Sequence, residues 1–536
     1  LPSEPALLLL ADWDHDGRVD ARPPVDPARA FVIVPPVAAE HAKTFSHPTP
    51  VRPMLGGSEK NPVTVSAEGP AARRVLLYVR RSGERVWHFA GPLPAPAAPN
   101  QFASLELFNE GGVTAGAPPP ELGIAVIPRA GGEPASRGDE FTLTVSSADR
   151  SAALRCRIAP ALLTSSLDPA EELFIVRSSL SAKVADELAR LAPKLDGRPK
   201  VRFLTGDPEH PSDIWAQDTM EVARAAYPAD QRGGVREVSA PLLGLRAKHD
   251  MGLTCGPLDA EVAALWRADP AAVPVQPGEP RGGARWIDWY GNLEVSPPIP
   301  GHPFGRVLTG EQKGLRIHPD LLAFLEAQRV QWPPLYVDVS WLTIGHVDEV
   351  VNFVPGPKGE RGPGFRALLP SPVAARAVLE RLAKDGHGKA AVFPGRKKET
   401  TVEAMLDGVA RSDESRRIEE ALTETRARLR EGLKVGDEHL IALPSLYAEG
   451  LAVLPSAVNC LVVGRDLVIP APCGPRIDGA DPFEAAMDAL LKPLGLRTHY
   501  LDVFEPYHVR SGEVHCGTNA VRRLPHGGRW WKQITG

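Results

Sequence analysis

The hydrophobic pattern of this 536-residue chain changes character near Ala159, and that change limits the folds open to it. Before it, short β-prone runs at 75–79, 122–127 and 141–145 are separated by Gly- and Pro-rich stretches, with no helical periodicity between them. A β-sandwich is the expected result. After it, runs at 173–176 and 200–204 flank a helical stretch at 182–191, and strands and helices alternate from there on. The chain far exceeds one typical core, so two domains are expected: a sandwich over 1–158 and an α/β body over 159–536.

Helix signals in the body are explicit. Ser371 before Pro372 predicts a capped start, and Asp481-Pro482-Phe483-Glu484 predicts another with the glutamate of a capping box. Ile418, Leu422, Thr425 and Leu429 hold helical spacing on one face, opposite a densely charged one that reads as a solvated surface.

Charge and cysteine usage narrow the function. A net charge of -5 and a pI near 6.4 argue against a nucleic-acid partner. The apolar runs are too short for a membrane-spanning helix, and 7–10 is too short for a signal-peptide core. The five cysteines, Cys156, Cys255, Cys460, Cys473 and Cys516, are far apart and show neither zinc spacing nor a disulfide framework. Near the start, Asp12, Asp14, Asp16 and Asp20 surround Gly17 in a D-x-D-x-D-G loop that suits calcium, although its twelfth position is Pro23 and not glutamate.

Three segments carry chemistry: Trp215 to Glu221, Trp341 to Glu349, and His515-Cys516-Gly517-Thr518-Asn519. They supply a thiol, an imidazole and two carboxylates. A guanidinium is planar, permanently charged and stabilised by delocalisation, so its hydrolysis needs carboxylates to hold its nitrogens, a thiolate to attack its carbon and an acid for the departing nitrogen. If the segments are extended, His346 and Asp348 share one face. By the same rule Asp218 faces one way, while Gln217 and Glu221 face the other and bind something behind it. His515 would then point away from Cys516, leaving His346 as the proton donor.

These strings, with Gly291-Asn292-Leu293-Glu294-Val295-Ser296-Pro297-Pro298, Phe365 to Leu369, Gly474 to Gly479 and Gly512 to Asn519, closely resemble the protein-arginine deiminase family from about residue 160 onward. The resemblance implies an immunoglobulin-like domain followed by a pentein α/β-propeller of five modules around a central site. It implies Cys516 as nucleophile, His346 as general acid and base, and Asp218 and Asp348 as guanidinium clamps. Trp215 and Ile344 would line the sleeve for the arginine stem, with Arg232 and Arg510 as further substrate-binding residues. It also implies a calcium site formed by Gln217, Glu221 and Glu294 with main-chain oxygens of Tyr290 and Leu293. A second nearby calcium site is not matched, because Thr219 stands where an acidic residue is expected. The implied reaction turns peptidyl-arginine into peptidyl-citrulline, with arginine-bearing proteins or peptides as partners. An extracellular location is favoured slightly, because calcium is plentiful there. Other readings are a deiminase of free arginine or agmatine, an amidinotransferase, or a non-catalytic calcium-binding interaction protein.

Overall fold

A computed structural model describes residues 150–229, 234–247, 249–250, 253–281 and 285–534. Before these it describes 8–11, 15, 19, 32–54, 63–69, 71–80, 86–92, 103–106, 121–126 and 140–147. The Asp12, Asp14, Asp16 and Asp20 loop and Arg232 lie outside the described residues.

In the first part, two five-stranded sheets face each other. Alternate residues of both, among them Val51, Val75, Leu77, Leu122 and Ile124 from one and Val65, Phe141, Leu143, Val145 and Leu154 from the other, form one dry core. The expected runs form the strands Val75–Arg80, Glu121–Val126 and Glu140–Ser147.

The larger part is built from five three-stranded sheets. In four of them the middle strand pairs antiparallel with one neighbour and parallel with the other, and a helix makes the parallel crossover. Ala182–Leu191 crosses from Ala170–Val176 to Lys200–Leu204, matching the periodicity of the sequence. Pro319–Gln328, Pro372–Leu382 and Pro482–Leu491 do the same for Val307–Glu311, Phe365–Ser371 and Asp466–Pro470. The remaining sheet holds Ala161–Leu162, Met220–Pro228 and Val235–Leu243 antiparallel, and regains the parallel element through bridges from Ser239 and Leu242 to Ala272 and Val275 after the helix Gly256–Ala268.

The helix starts behave largely as read. Ser371 Oγ accepts from Ala374 N. Asp481 caps the amide of Phe483 and also binds Gly474 N, and no reciprocal bond from Glu484 completes a box. The Glu484 carboxylate, which a box would need on Asp481 N, lies beside Arg476 instead. Ile418, Leu422, Thr425 and Leu429 form the buried face of Asp413–Leu433.

Candidate active site

Each of the five sheets delivers the turn just ahead of one of its strands to a common centre. Ala216–Thr219 precedes Met220–Pro228, Tyr290–Asn292 precedes Leu293–Val295, and Val347–Glu349 stands just before Asn352–Pro355. Asn459 precedes Leu461–Val463, and His515-Cys516 precede Thr518–Arg522. The turns are tied to one another. Gln217 N donates to Cys516 O at 3.1 Å, Gly291 N to Asp218 Oδ1 at 3.0 Å, and Cys516 N to Asn459 Oδ1 at 3.1 Å. Gly291 is required there, since a Cβ would come within 2.4 Å of His346 Nδ1 and 3.1 Å of Asp218 Oδ1.

This corrects the extended reading of two motifs. Ala216–Thr219 is a single helical turn and Val347–Glu349 a 3₁₀ turn capped by His346, so face alternation does not apply. The proposed separation of Asp218 from Gln217 and Glu221 arises differently. Gln217 reaches from the turn to the start of the following strand, where its Nε2 donates to Glu221 Oε2 at 2.8 Å, while Asp218 turns to Gly291.

Cys516, His346, Asp218 and Asp348 are all buried, none more than 6% exposed. Cys516 Sγ lies 3.4 Å from Asp348 Oδ2 and accepts from Asn459 Nδ2 at 3.1 Å. Asp348 Oδ1 is buried without a hydrogen-bond partner among the described residues. His346 Nε2 is 2.7 Å from Trp286 O, and a carbonyl only accepts, so the hydrogen is on Nε2. The other ring nitrogen, Nδ1, faces Asp218 Oδ1 at 3.8 Å.

Burial raises the Asp218 carboxyl to about 6, against the opposing pull of His346 and Arg246. Burial, then Asp348 and Asp218, push the Cys516 thiol well above its usual range. A cation seated between the two aspartates would reverse both effects, favouring ionised carboxylates and a thiolate together.

His515 is not turned away from the centre, because the chain there is a turn and not a strand. Its Nδ1 lies 3.0 Å from Asp348 Oδ2 and its Nε2 3.2 Å from Glu294 Oε1. Burial would lower its pKa, but Glu294 and Asp348 override that and hold it up to about 9. Beyond it, Gln217, Glu221, Glu294 and Arg522 line a cavity of about 40 Å³. Burial and mutual repulsion raise Glu221 to about 8, and burial raises Glu294 to about 7. Two carboxylates and an amide oxygen are the hard donors calcium prefers. Tyr290 and Leu293 are buried beside them, with Tyr290 O accepting from Leu293 N. Among the described residues no three His, Cys, Asp or Glu side chains form a preassembled cage.

Trp215 is buried against Tyr507, with ring centroids 5.9 Å apart, and packs on Gly512. Ile344 is half-buried. Arg510 is exposed, its guanidinium bonded to the carbonyls of Glu505 and Pro506 in its own turn. Sequence reasoning missed Asn459. Its signal was positional: it stands just ahead of a β-prone run, as Asp218 and Cys516 do.

The arrangement can hold a planar cation between carboxylates and attack it with sulfur, and comparison with known proteins agrees in kind. A profile of the protein-arginine deiminase family matches residues 149–532. The chain is 33% identical over 401 residues to rat protein-arginine deiminase type-3, covering 70% of this chain and 56% of the relative. It is 32% identical over 395 residues to human protein-arginine deiminase type-4, with the same coverage. It thus spans about half the length of these relatives. Among solved structures, an agmatine deiminase of C. jejuni aligns over 68% of this chain and 97% of its own at 12% identity and a TM-score of 0.39, too low to bear on the argument. On the match across the whole five-sheet part, the chain belongs to the protein-arginine deiminase family.

Proposed function

We propose that this protein hydrolyses the guanidinium of arginine within proteins or peptides, giving citrulline and ammonia. The observation that carries the reading is the unpartnered Asp348 Oδ1 beside Cys516 Sγ, a buried acceptor waiting for an N–H next to a nucleophile. Residues 1–158 would form an immunoglobulin-like domain, and 159–536 the pentein propeller that carries the reaction.

Asp218 and Asp348 hold the guanidinium nitrogens. Thiol with neutral His346 carries the same number of protons as thiolate with imidazolium, and the second pair reacts. The Cys516 Sγ–carbon bond forms, and His346 Nδ1 gives its proton to one nitrogen. The C–N bond then breaks, ammonia departs and a thiouronium remains on Cys516. A water loses a proton to His346 and adds to the carbon. The C–S bond breaks to restore thiolate and imidazolium, and the remaining hydroxyl proton leaves with ammonia as ammonium. Trp215 and Ile344 would flank the aliphatic stem, and Arg232 and Arg510 would bind the substrate outside the pocket.

Gln217, Glu221 and Glu294, with oxygens of Tyr290 and Leu293, would hold calcium, which supplies fixed positive charge that orders the Ala216–Thr219 turn. The Asp12, Asp14, Asp16 and Asp20 loop would hold another. Incubation with calcium and either an arginine peptide or free arginine tests the whole reading. Ureido product from the peptide is expected. Product from free arginine alone would remove the protein substrate, and none from either would remove the enzyme.

A further inference from the structure

On another side of Cys516 lies a second cavity, of about 100 Å³, to which Glu349, Tyr447, Ser456 and Glu513 also contribute. None of the clamp groups Asp218, His346 or Asp348 lines it. Its polar walls are incompletely satisfied. Glu513 is 4% exposed; its Oε1 takes hydrogen bonds from His508 Nδ1 at 2.8 Å and Ser456 N at 3.2 Å, while its Oε2 has no partner among the described residues. The Oγ of Ser456 and the Oη of Tyr447, both buried, lie against each other, and each keeps lone pairs for a further donor. Glu349 connects this cavity to the clamp, since its Oε1 accepts from His346 N at 3.2 Å.

We propose that this cavity is a binding site for a small nitrogen hydride, ammonium or ammonia, and that it receives the nitrogen released when the C–N bond breaks. The proposal rests on the deiminase reading for the source of that nitrogen, but the site itself stands on geometry. An ionised carboxylate only accepts, and two hydroxyls can be turned to accept, so the complementary ligand is one rich in donors. Buried acceptors without partners are costly, which gives such a ligand its affinity. The volume suits about three water-sized molecules, since one water occupies roughly 30 Å³ of liquid. Ammonium is of that size.

Charge keeps the site weak, as a product site must be. His508 faces Glu513 on one side and Val453 O at 3.1 Å on the other, so both of its ring nitrogens are engaged and neither is left for the cavity. Burial, then Asp348, pushes the Glu349 carboxyl well above the usual range, which disfavours a second carboxylate charge there. Lys398 stands exposed at the mouth.

Rubidium, a hard monovalent ion of ammonium's size visible by anomalous scattering, tests this without turnover. Crystals of the full chain soaked in rubidium chloride should show a peak in contact with Glu513 Oε2 that disappears when ammonium chloride is added. Glu513→Gln should lose the peak. Because that variant disturbs the His508 bond and could misfold, Tyr447→Phe, which keeps the carboxylate, should weaken the peak without removing it. In the ureido assay, ammonium chloride should inhibit the wild type, and Tyr447→Phe should need more of it. Water alone in the cavity at saturating rubidium, or a peak confined to Asp218 and Asp348, would overturn the proposal. A rubidium peak in a protein that forms no ureido product would support the site and count against the deiminase reading.

Discussion

Two carboxylate-rich pockets share His515 as a wall, and they differ in what faces the negative charge. Asp218 and Asp348 meet a thiol and an imidazole, and one aspartate oxygen is left unpartnered. Glu221 and Glu294 meet the amide of Gln217, the His515 imidazole held up to about 9, and the guanidinium of Arg522, which is anchored on the carbonyls of Ser166, Asp168 and Val462. On the proposed function, the first pocket keeps its charge for the substrate and supplies the groups that attack it. The other has residents that partly balance its charge and no nucleophile. Acidity alone therefore does not mark the reaction centre; the neighbours of the carboxylates do.

The sharpest test removes the nucleophile. Cys516→Ala should abolish ureido product with an unchanged unfolding midpoint, and citrulline from that variant would end the distinction between the pockets. Next, His346→Ala should lose about 100- to 10,000-fold in kcat through failed proton transfer. Asp218→Asn and Asp348→Asn should lose roughly 100- to 1,000-fold, because an amide presents donors to a group that has only donors. Near-native rates in all three would leave the clamp without support.

The second pocket should respond differently. Glu221→Ala or Glu294→Ala should raise the calcium concentration giving half-maximal activity, with a smaller loss of rate at saturating calcium. If either fell as far as Asp218→Asn at saturation, the two pockets would be one functional unit. A smaller effect is expected at Asn459, whose amide donates to Cys516 Sγ. In Asn459→Ala the pH profile of iodoacetamide alkylation at Cys516 should shift upward by about one unit. Overlapping profiles would deny the amide that role.

The mildest prediction concerns stability without substrate or metal. Asp218, Glu221 and Glu294 have folded-state values raised to about 6, 8 and 7, and His515 is raised to about 9. A raised group stabilises the fold while protonated and loses that contribution as pH climbs through its folded value. All four have the same sign, so the unfolding midpoint in chelator should fall steadily between about pH 4 and 9. Glu221→Gln should flatten the upper part of that slope, and a midpoint that rises across the window would contradict the assignment.

Much of this architecture was legible in the chain. The helix Ala182–Leu191 follows directly from periodicity, because burial of Val184, Ala185 and Leu188 on one face imposes it, whereas the largely exposed strand Lys200–Leu204 follows from its β-prone residues. The site residues could be named, but their local geometry could not. Ala216–Thr219 and Val347–Glu349 stand just ahead of strands, and the face alternation expected of them required an extended chain, whereas the backbone turns there to aim single side chains inward. Such turns are fixed by contacts from other modules, such as Gly291 to Asp218, and leave no periodic trace. Asn459 was invisible for another reason, since a neutral amide has no titration to flag it. Its bond to Sγ depends on a meeting of two segments far apart in sequence.

The sheet that presents Cys516 is made from both ends of the five-sheet part: Ala170–Val176 lies between Lys200–Leu204 and Thr518–Arg522. A ribosome completes the other four sheets before that last strand exists. A nascent chain therefore carries Asp218 and Asp348 well before Cys516 is made, and the thiol joins these carboxylates only in the step that closes the final sheet. On the proposed function, vectorial synthesis keeps the nascent chain from reacting with its neighbours until that sheet has closed.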